Sequence, residues 1–480
     1  MSIRRVFAFS YLDRYASLLL FIASSMILAR LLTPAEMGVF SVTMVFLSFT
    51  GPLKDLGASQ YIIQEKHLDP AMVRAAWAVQ LGLGLVLAIF VLSVSHLIAD
   101  FYREPRIRAI MLILSLNFVL NPFGALTLAL LSREMRFGSI AVIRFSGTLT
   151  GSLTSIACAW LGFGPISLAY GALATSIASA LASLWFRPKG LPWLPSFAGV
   201  RKVVTFGSIV TGVSIMNIVS EGTPELILGR LQGMAPTGLF GRAKSLVSIF
   251  ERLVMDGVYA AALPMFSKRI RDGDSIDDVF VKAEALVSGI GWPLLAFLAV
   301  FAYPLINLFY GPRWDGAVDL TRILCAAMAL VIPGLLCGAP LIAMGKIKTV
   351  FWLTSTNALL QVCLSAIGAW ISLNALGVGI MITSAINVTL WLKFAKPVIG
   401  FSWSIFFAEM GKSAALTAGA MAVPAAIVIF FGLRPSTSLP PLIIGGLGAL
   451  IGYILTARAV KHPVWHEIDQ IILRRIGFVT

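Results

Sequence analysis

The chain has 480 residues, of which 58% are hydrophobic and 12% are charged, and its formal net charge at pH 7 is +15. This composition excludes an ordinary soluble protein, and no polar stretch is long enough to form a separate soluble catalytic domain. A nucleic-acid surface would need clustered basic residues interleaved with aromatics, and the sequence has no such cluster. We therefore predict an integral membrane protein without a nucleic-acid partner.

Apolar runs separated by Gly, Pro or charged residues predict an all-α polytopic protein with about fourteen transmembrane helices. Six are centred near residues 21, 45, 87, 118, 149 and 174, six more near 215, 250, 294, 328, 361 and 382, and two near 424 and 447. We predict an N-terminal lobe over residues 1–190, a C-terminal lobe over 191–400, and two further helices over 401–460. The remaining residues, 461–480, have the pattern of an amphipathic tail on the cytoplasmic leaflet.

The two lobes share a repeated stretch. Residues 27–57 align without a gap with residues 227–257, and 10 of the 31 positions are identical. Chance in so apolar a chain would give about three. Arg30 and Gly38 recur as Arg230 and Gly238. A duplicated membrane unit is typical of transporters, so we predict two pseudo-symmetric six-helix lobes.

A second echo lies further along each lobe. Leu97 and Phe101 return 208 positions later as Leu305 and Phe309. Pro122 and Pro333 then lie at comparable places in the two lobes. Each proline removes one backbone donor from its helix, so we predict a duplicated pair of hinges at these two positions.

Loop charges predict the orientation. Lys and Arg are concentrated at the N-terminus and in the loops that lead from an even-numbered to an odd-numbered helix, while the opposite loops are shorter and less basic. Both termini are therefore expected in the cytoplasm. Since six is an even number, the two lobes share one sidedness, and the cleft between them is the natural place for a substrate.

Charged residues inside membrane helices are costly and usually face a wet cavity. We interpret five cations in the predicted helices as a substrate-binding cleft: Lys54, Arg144, Arg242, Lys244 and Arg252. Asp55 and Asp256 are predicted charge partners, the latter one turn from Arg252. For Lys54 and Arg144 the alternative is that they snorkel to the cytoplasmic interface, and Arg242 and Lys244 could equally lie at the outer interface.

Glu221 and Glu225 flank Pro224 one turn apart, a spacing that would suit a coupling site for a proton or cation. The alternative is a structural role, with Arg230 neutralising one carboxylate. Enzyme signals are missing: residues 238–245 (GLFGRAKS) lack the adjacent Gly-Lys of a phosphate loop. We expect no catalytic residues, metal site or cofactor.

The opening of the chain resembles the oligosaccharide-lipid flippases of the multidrug/oligosaccharidyl-lipid/polysaccharide exporter superfamily. The resemblance is carried by residues 27–38 (ILARLLTPAEMG), 40–42 (FSV) and 55–64 (DLGASQYIIQ). Helix number and the arrangement of six, six and two helices extend it over nearly the whole chain.

The resemblance implies two lobes around a cationic cleft in the bacterial cytoplasmic membrane. The implied ligand is an undecaprenyl-pyrophosphate-linked oligosaccharide, moved from the inner to the outer leaflet by alternating access for lipopolysaccharide, capsule or exopolysaccharide synthesis. Membrane lipids, a polysaccharide polymerase and other assembly proteins are the implied partners. The alternatives are an exporter of drugs or other small solutes, and a membrane polysaccharide polymerase or ligase, although the sequence lacks the large outer loop expected of the latter.

Overall fold

The computed structural model describes residues 3–55, 59, 62–63, 69–188, 200–431, 439–467 and 469. Every regular element in these ranges is a helix, which confirms the all-α prediction. The predicted tail over 461–480 lies largely outside the described residues. The chain divides into two compact units, Met1–Gly238 and Leu239–Thr480. The lobe boundaries predicted from the sequence stay a prediction.

The described residues of the first unit form eight helices and the start of a ninth. They are α1 (Ile3–Leu31), α2 (Pro34–Ser48), α3 (Gly51–Asp55), α4 (Pro70–Tyr102), α5 (Pro105–Arg133), α6 (Phe137–Trp160), α7 (Ile166–Trp185), α8 (Val200–Leu231) and the beginning of α9 (Met234–Phe250). The core of this unit is formed where α2, α4 and α5 pack together, around buried residues such as Val42, Leu87 and Ile110.

The second unit continues from α9 through a π-helix, Glu251–Met255, into α10 (Asp256–Asp272). It then forms α11 (Asp277–Val300), α12 (Ala302–Phe309), a 3-10 helix Pro312–Ala317, α13 (Val318–Val331), a 3-10 helix Ile332–Gly334 and α14 (Gly338–Ala343). The last helices are α15 (Ile347–Ile371), α16 (Leu373–Ile399), α17 (Trp403–Phe431) and α18 (Leu439–Ala459). Helix α11 packs against both α13 and α17.

In the described part of the chain, ten segments are long and apolar enough to cross a membrane, and two shorter apolar helices precede them, Tyr15–Leu31 and Pro34–Ser48. Helix α8 and the run from α9 to α10 occupy the places of the two other predicted spans. The number of fourteen is consistent with this arrangement.

The helices begin where the sequence provides caps. Thr33 and Glu36 form a capping box at the start of α2: the Thr33 side chain accepts from the Glu36 amide, and the Glu36 carboxylate accepts from the Thr33 amide. Asp69 caps α4 and is followed by Pro70 at the first helical position, where a missing N–H costs nothing. These local signals fix the helix starts from sequence alone.

Small residues set the close helix packing. Two GxxxG steps, Gly147 to Gly151 and Gly448 to Gly452, lie at such contacts. In the first unit, a Cβ on Gly151 would lie 1.8 Å from Thr175 Oγ1, so α6 and α7 pack closely at this point. In the second unit, a Cβ on Gly452 would lie 2.3 Å from the carbonyl oxygen of Gly419, at the α17–α18 contact. Both GxxxG steps therefore allow close helix packing.

The repeated glycines Gly38 and Gly238 lie against each other's helix starts within the first unit. A Cβ on Gly38 would lie 1.8 Å from the Met234 carbonyl oxygen, and one on Gly238 would lie 1.9 Å from that of Pro34. Backbone atoms cannot move aside as a flexible side chain can, so neither position tolerates a side chain. This reciprocal contact explains why both glycines recur in the duplicated stretch.

Candidate functional site

A cavity of about 180 Å³ lies in the first unit, between α3, α4 and α5. It brings together two of the predicted residues, the cation Lys54 and the hinge Pro122. The other lining residues were not predicted: Ser59, Gln80, Gly84, Phe118, Asn121 and Ala125. The cavity is smaller than the roughly 300–1,000 Å³ typical of pockets for drug-sized ligands, so it suits a head group and not an oligosaccharide.

The proline and a glycine together open this cavity. Pro122 cannot donate to the carbonyl of Phe118, four residues earlier in α5. Gly84 of α4 approaches that same carbonyl so closely that a Cβ would lie 2.4 Å from its oxygen. Since Gly84 has no side chain, the space beside the proline stays open.

The lining of the cavity is polar on one side. The buried Gln80 donates from Nε2 to Ser59 Oγ at 3.2 Å, and Asn121 lies next to Pro122. The Lys54 side chain is half-buried at the same cavity. A cation together with amide and hydroxyl groups is a set that can bind an anionic oxygen. Gln80 could have been noticed in the sequence as a polar residue within the uncharged run 75–99.

Arg144 does not line this cavity. It lies on α6 with an exposed side chain, while its carbonyl accepts from Thr148 Oγ1 at 2.9 Å. The structure thus brings Lys54, but not Arg144, to the cavity of the first unit, and a substrate role for Arg144 stays a prediction.

Arg242 is held by aromatic rings in the second unit. Its guanidinium carbon lies 5.3 Å from the centre of the Tyr310 ring and 5.5 Å from that of Trp314. Trp314 is fully buried, so these cation–π contacts orient the arginine firmly. Lys244, one residue beyond Ala243 on the same helix, is half-buried.

Arg252 lies in the π-helix Glu251–Met255, and its side chain is exposed. A π-helix inserts a residue into the helical ladder and is frequent at functional sites. The predicted partners Asp55 and Asp256 end α3 and begin α10, but their side chains lie outside the described residues.

The two acids on α8 differ in their surroundings. Glu225 is buried, and the Ser41 hydroxyl of α2 donates to its Oε2. Glu221, one turn earlier, is exposed. The Tyr102 hydroxyl donates to the nearby carbonyl of Leu226 at 3.0 Å. These contacts tie α8 to α2 and α4, in line with the structural alternative for Glu225, while the coupling role stays a prediction.

Pro333 lies in the 3-10 helix that separates α13 from α14. The helix α11 covers this break with a fully buried carboxyl group, Glu284, which sequence reasoning missed. The sequence feature that could have revealed Glu284 is its position inside the predicted ninth transmembrane helix, two turns after Asp277 at the start of that helix. Searching the described residues for a cluster of His, Cys, Asp and Glu able to hold a metal ion finds none.

Comparison with known proteins identifies the family. Residues 27–319 match the polysaccharide biosynthesis protein family. The chain belongs to this family. It is 27% identical to the lipopolysaccharide biosynthesis protein WzxC of Escherichia coli K12, over 78% of this chain and 77% of that protein. It is 23% identical to the succinoglycan biosynthesis transport protein ExoT of Rhizobium meliloti, over 80% of this chain and 76% of that protein.

The fold has solved counterparts. The inward closed conformation of the lipid II flippase MurJ is similar with a TM-score of 0.74 and 13% identity, over 94% of this chain and 99% of that one. An inward-facing multidrug resistance transporter of the same superfamily is similar with a TM-score of 0.67 and 15% identity, over 80% of this chain and 94% of that one. Together with the family match, these likenesses confirm the sequence resemblance to oligosaccharide-lipid flippases, and the chain has the fold of these two transporters.

Proposed function

We propose that this family member flips an undecaprenyl-pyrophosphate-linked oligosaccharide from the inner to the outer leaflet of the bacterial cytoplasmic membrane by alternating access. The family match and the names of the relatives support a lipid-linked saccharide as cargo. The observation that carries the proposal is the cavity in which Lys54 lies beside Pro122. It offers a positive charge for a phosphate at the point where α5 lacks a backbone hydrogen bond.

The energy for this reaction comes from the membrane potential. The bacterial membrane is negative inside, so each uncompensated negative charge that moves outward gains about 2.3 kcal/mol per 100 mV. The return of an empty, positively charged site is also favoured by the field. Both half-cycles can therefore run downhill without a nucleotide.

The test uses proteoliposomes that contain a fluorescent undecaprenyl-pyrophosphate oligosaccharide and an imposed potassium-diffusion potential. An inside-negative potential should accelerate outward transfer, and Lys54→Glu should abolish transfer while the protein still inserts. Lys348→Glu, on an exposed lysine of α15, is the matched control. Normal transfer by Lys54→Glu would remove Lys54 from the site, and a rate independent of potential would exclude the proposed driving force.

An exporter of small solutes is the second candidate, because the multidrug transporter of this superfamily shares the fold. The same proteoliposomes decide between the two. Transfer of the lipid-linked probe supports the flippase, whereas efflux of cationic dyes without transfer of that probe supports the exporter.

We place both termini in the cytoplasm, with the polysaccharide polymerase and other assembly proteins as partners in the membrane. Reporter fusions after Arg136 and Lys348 should then report the cytoplasm, and fusions at Gly164 and Pro312 the outside. The opposite result at either pair would reverse the orientation.

A further inference from the structure

One face of α11 contacts two backbone groups at the break around Pro333, a carbonyl and an amide. Pro333 has no N–H, so the carbonyl of Ala329, four residues earlier, loses its donor. The indole Nε1–H of Trp292 donates to this oxygen at 2.8 Å. A tryptophan N–H is a donor only, which matches the group that it satisfies.

The second backbone group is an amide. Leu335 donates to the carbonyl of Ile332 in the 3-10 turn, so the amide of Leu336 has no helical acceptor. Glu284 accepts from it through Oε1 at 2.9 Å. Glu284 and Trp292 lie eight residues apart on α11, which places both on one face of the helix.

The other oxygen of Glu284 sets the chemistry. The side chain is 0% exposed, and Oε2 has no hydrogen-bond partner in the part of the chain that the structure describes. Glu284 lies within a helix long and apolar enough to span the membrane. An ionised carboxylate without a counter-ion is very costly at such a place, whereas a carboxylic acid is tolerated.

The charged groups on the described elements packed against α11 are paired with one another, exposed or bonded elsewhere. On α17, Lys412 is paired with Glu409 at 2.6 Å, and on α13, Arg322 is paired with Asp319 at 3.0 Å. Cys337, next to Leu336, and Cys325 of α13 are buried thiols. In the π-helix, Glu251 and Arg252 have exposed side chains. His462, beyond α18, is buried and hydrogen-bonded to Ser413.

We propose that Glu284 is a proton-binding site that couples transport to the proton gradient, an inference that rests on the proposed flippase function. The proton binds Oε2, which converts the carboxylate to a carboxylic acid while Oε1 keeps its bond to the Leu336 amide. Loss of the proton leaves a charge that is stable only if the segment around Pro333 rearranges to let in water. Protonation of Glu284 therefore favours the packed arrangement of the segment around Pro333, and ionisation favours a rearranged segment that admits water.

A chain of hydrogen bonds near Glu284 provides a route for the proton. Ser288 lies one turn, about 6 Å, from Glu284 along α11. Its hydroxyl donates to Ser413 Oγ at 2.9 Å, and Ser413 Oγ lies 2.9 Å from Nε2 of His462. The neighbouring Lys461 is exposed, so these hydrogen bonds lead from Ser288, one turn from Glu284, toward the end of α18.

The proton on Glu284 can be measured without any substrate. Infrared spectroscopy of the purified protein at neutral pH distinguishes a protonated carboxyl group from an ionised one. The protonated band should disappear in Glu284→Gln and remain in Glu409→Gln, a matched change on α17. An unchanged protonated band in Glu284→Gln would overturn the proposal. If Glu284→Gln fails to fold, Glu284→Asp is measured instead and should shift the protonated carboxyl band. An unshifted band in Glu284→Asp would also overturn the proposal.

Coupling is tested in proteoliposomes at zero potential with an imposed pH gradient and the fluorescent lipid-linked probe. For one proton per cycle, the steady-state ratio of the probe between the leaflets should shift about tenfold per pH unit. Glu284→Gln should lose this shift yet retain potential-driven transfer, and Glu409→Gln should keep both. An undiminished shift in Glu284→Gln overturns the proposal. Absence of transfer in the wild type would count against the flippase function, while the infrared result would still decide whether Glu284 holds a proton.

Discussion

Pro122 and Pro333 remove the same backbone donor, but the two units respond differently. In the first unit α5 runs on through Pro122, and Gly84 brings only backbone to the carbonyl of Phe118. In the second unit the helix stops at Val331 and restarts at Gly338. Side chains of α11 there satisfy both the freed carbonyl and the freed amide.

The 208-residue shift between the lobes makes the comparison specific. It pairs Gly84 with Trp292, which each meet the carbonyl four positions before a proline, while the two prolines themselves lie 211 residues apart. A glycine leaves a cavity that Lys54 lines, whereas a tryptophan, helped by Glu284, closes the equivalent place. The two prolines thus lie beside a cavity in one unit and beside a buried acid in the other.

The largest effect is expected from Gly84→Ala. Its Cβ would overlap the Phe118 carbonyl oxygen at 2.4 Å, so α4 and α5 must separate. We expect a loss of about 3 kcal/mol in stability, at the upper end of overpacking effects, and loss of flipping. Thermal unfolding in detergent measures the first and proteoliposome transfer the second. Gly82→Ala is the control, because its Cβ would meet nothing within 4 Å. Equal behaviour of the two variants would contradict the close approach.

The second largest effect is expected from Trp292→Phe. Trp292→Phe keeps a ring but removes the donor to the Ala329 carbonyl. A half-buried acceptor left unsatisfied should cost about 2 kcal/mol. Unfolding of the variant in detergent measures this loss, with Trp352→Phe on the exposed face of α15 as the control. A loss no greater than that of the control would mean that the carbonyl finds another donor.

The surroundings of Pro122 and Pro333 show what the sequence could and could not predict. The helices and the duplicated stretch were predictable, because they depend on neighbouring residues or on simple periodicity. The cavity was only half predictable: Lys54 and Pro122 stood out, but Gln80 and Gly84 come from a third stretch of chain, α4, which only the fold brings to the other two.

Glu284 escaped prediction for a related reason. A single acid two turns into a helix is indistinguishable in sequence from one at the membrane interface. Its significance depends on the amide of Leu336, which is free only because the turn after Pro333 is a 3-10 turn. The roles of Arg144, Arg242, Lys244 and Arg252 stay predictions, since sequence depth alone does not tell which surface a charge faces.

The third prediction compares alanine substitutions at the two prolines by their effect on the flipping rate. Pro122→Ala restores a donor for the Phe118 carbonyl and should stabilise a straight α5 by about 1 kcal/mol. That corresponds to a population shift of about fivefold toward one state, so we expect flipping to slow by about that factor. Pro333→Ala should change less, because Trp292 already satisfies the Ala329 carbonyl. Initial transfer rates decide, with Pro424→Ala in α17 as the control. A larger effect at Pro333 than at Pro122 would invert the comparison.

The smallest effect is expected at the contact between α11 and the segment after α18, where His462 docks against Gly289. A Cβ on Gly289 would lie 2.4 Å from the imidazole Cε1, so the glycine makes room for the ring. The Val464 amide donates to Nδ1 at 3.2 Å, which leaves the proton on Nε2, facing Ser413. The docked ring is therefore neutral, and a second proton on Nδ1 would break the bond to Val464.

The pH dependence of this docking follows from the sign of the pKa shift. Burial lowers the pKa of His462 from 6.5 to about 4; Glu409 opposes this shift and Lys412 adds to it. The undocked ring binds a proton more readily, so docking is fully favourable above pH 6.5 and weakens as the pH falls toward 4. Between pH 7.5 and 6 the docking of His462 loses about 0.8 kcal/mol of free energy.

Hydrogen exchange of the segment around Val464 should accelerate accordingly in the wild type and in His466→Ala, whose histidine is exposed. In His462→Gln the exchange should be fast at both pH values, because the glutamine cannot reproduce the buried ring. Exchange in the wild type that did not change with pH would show that the segment stays docked when His462 is protonated.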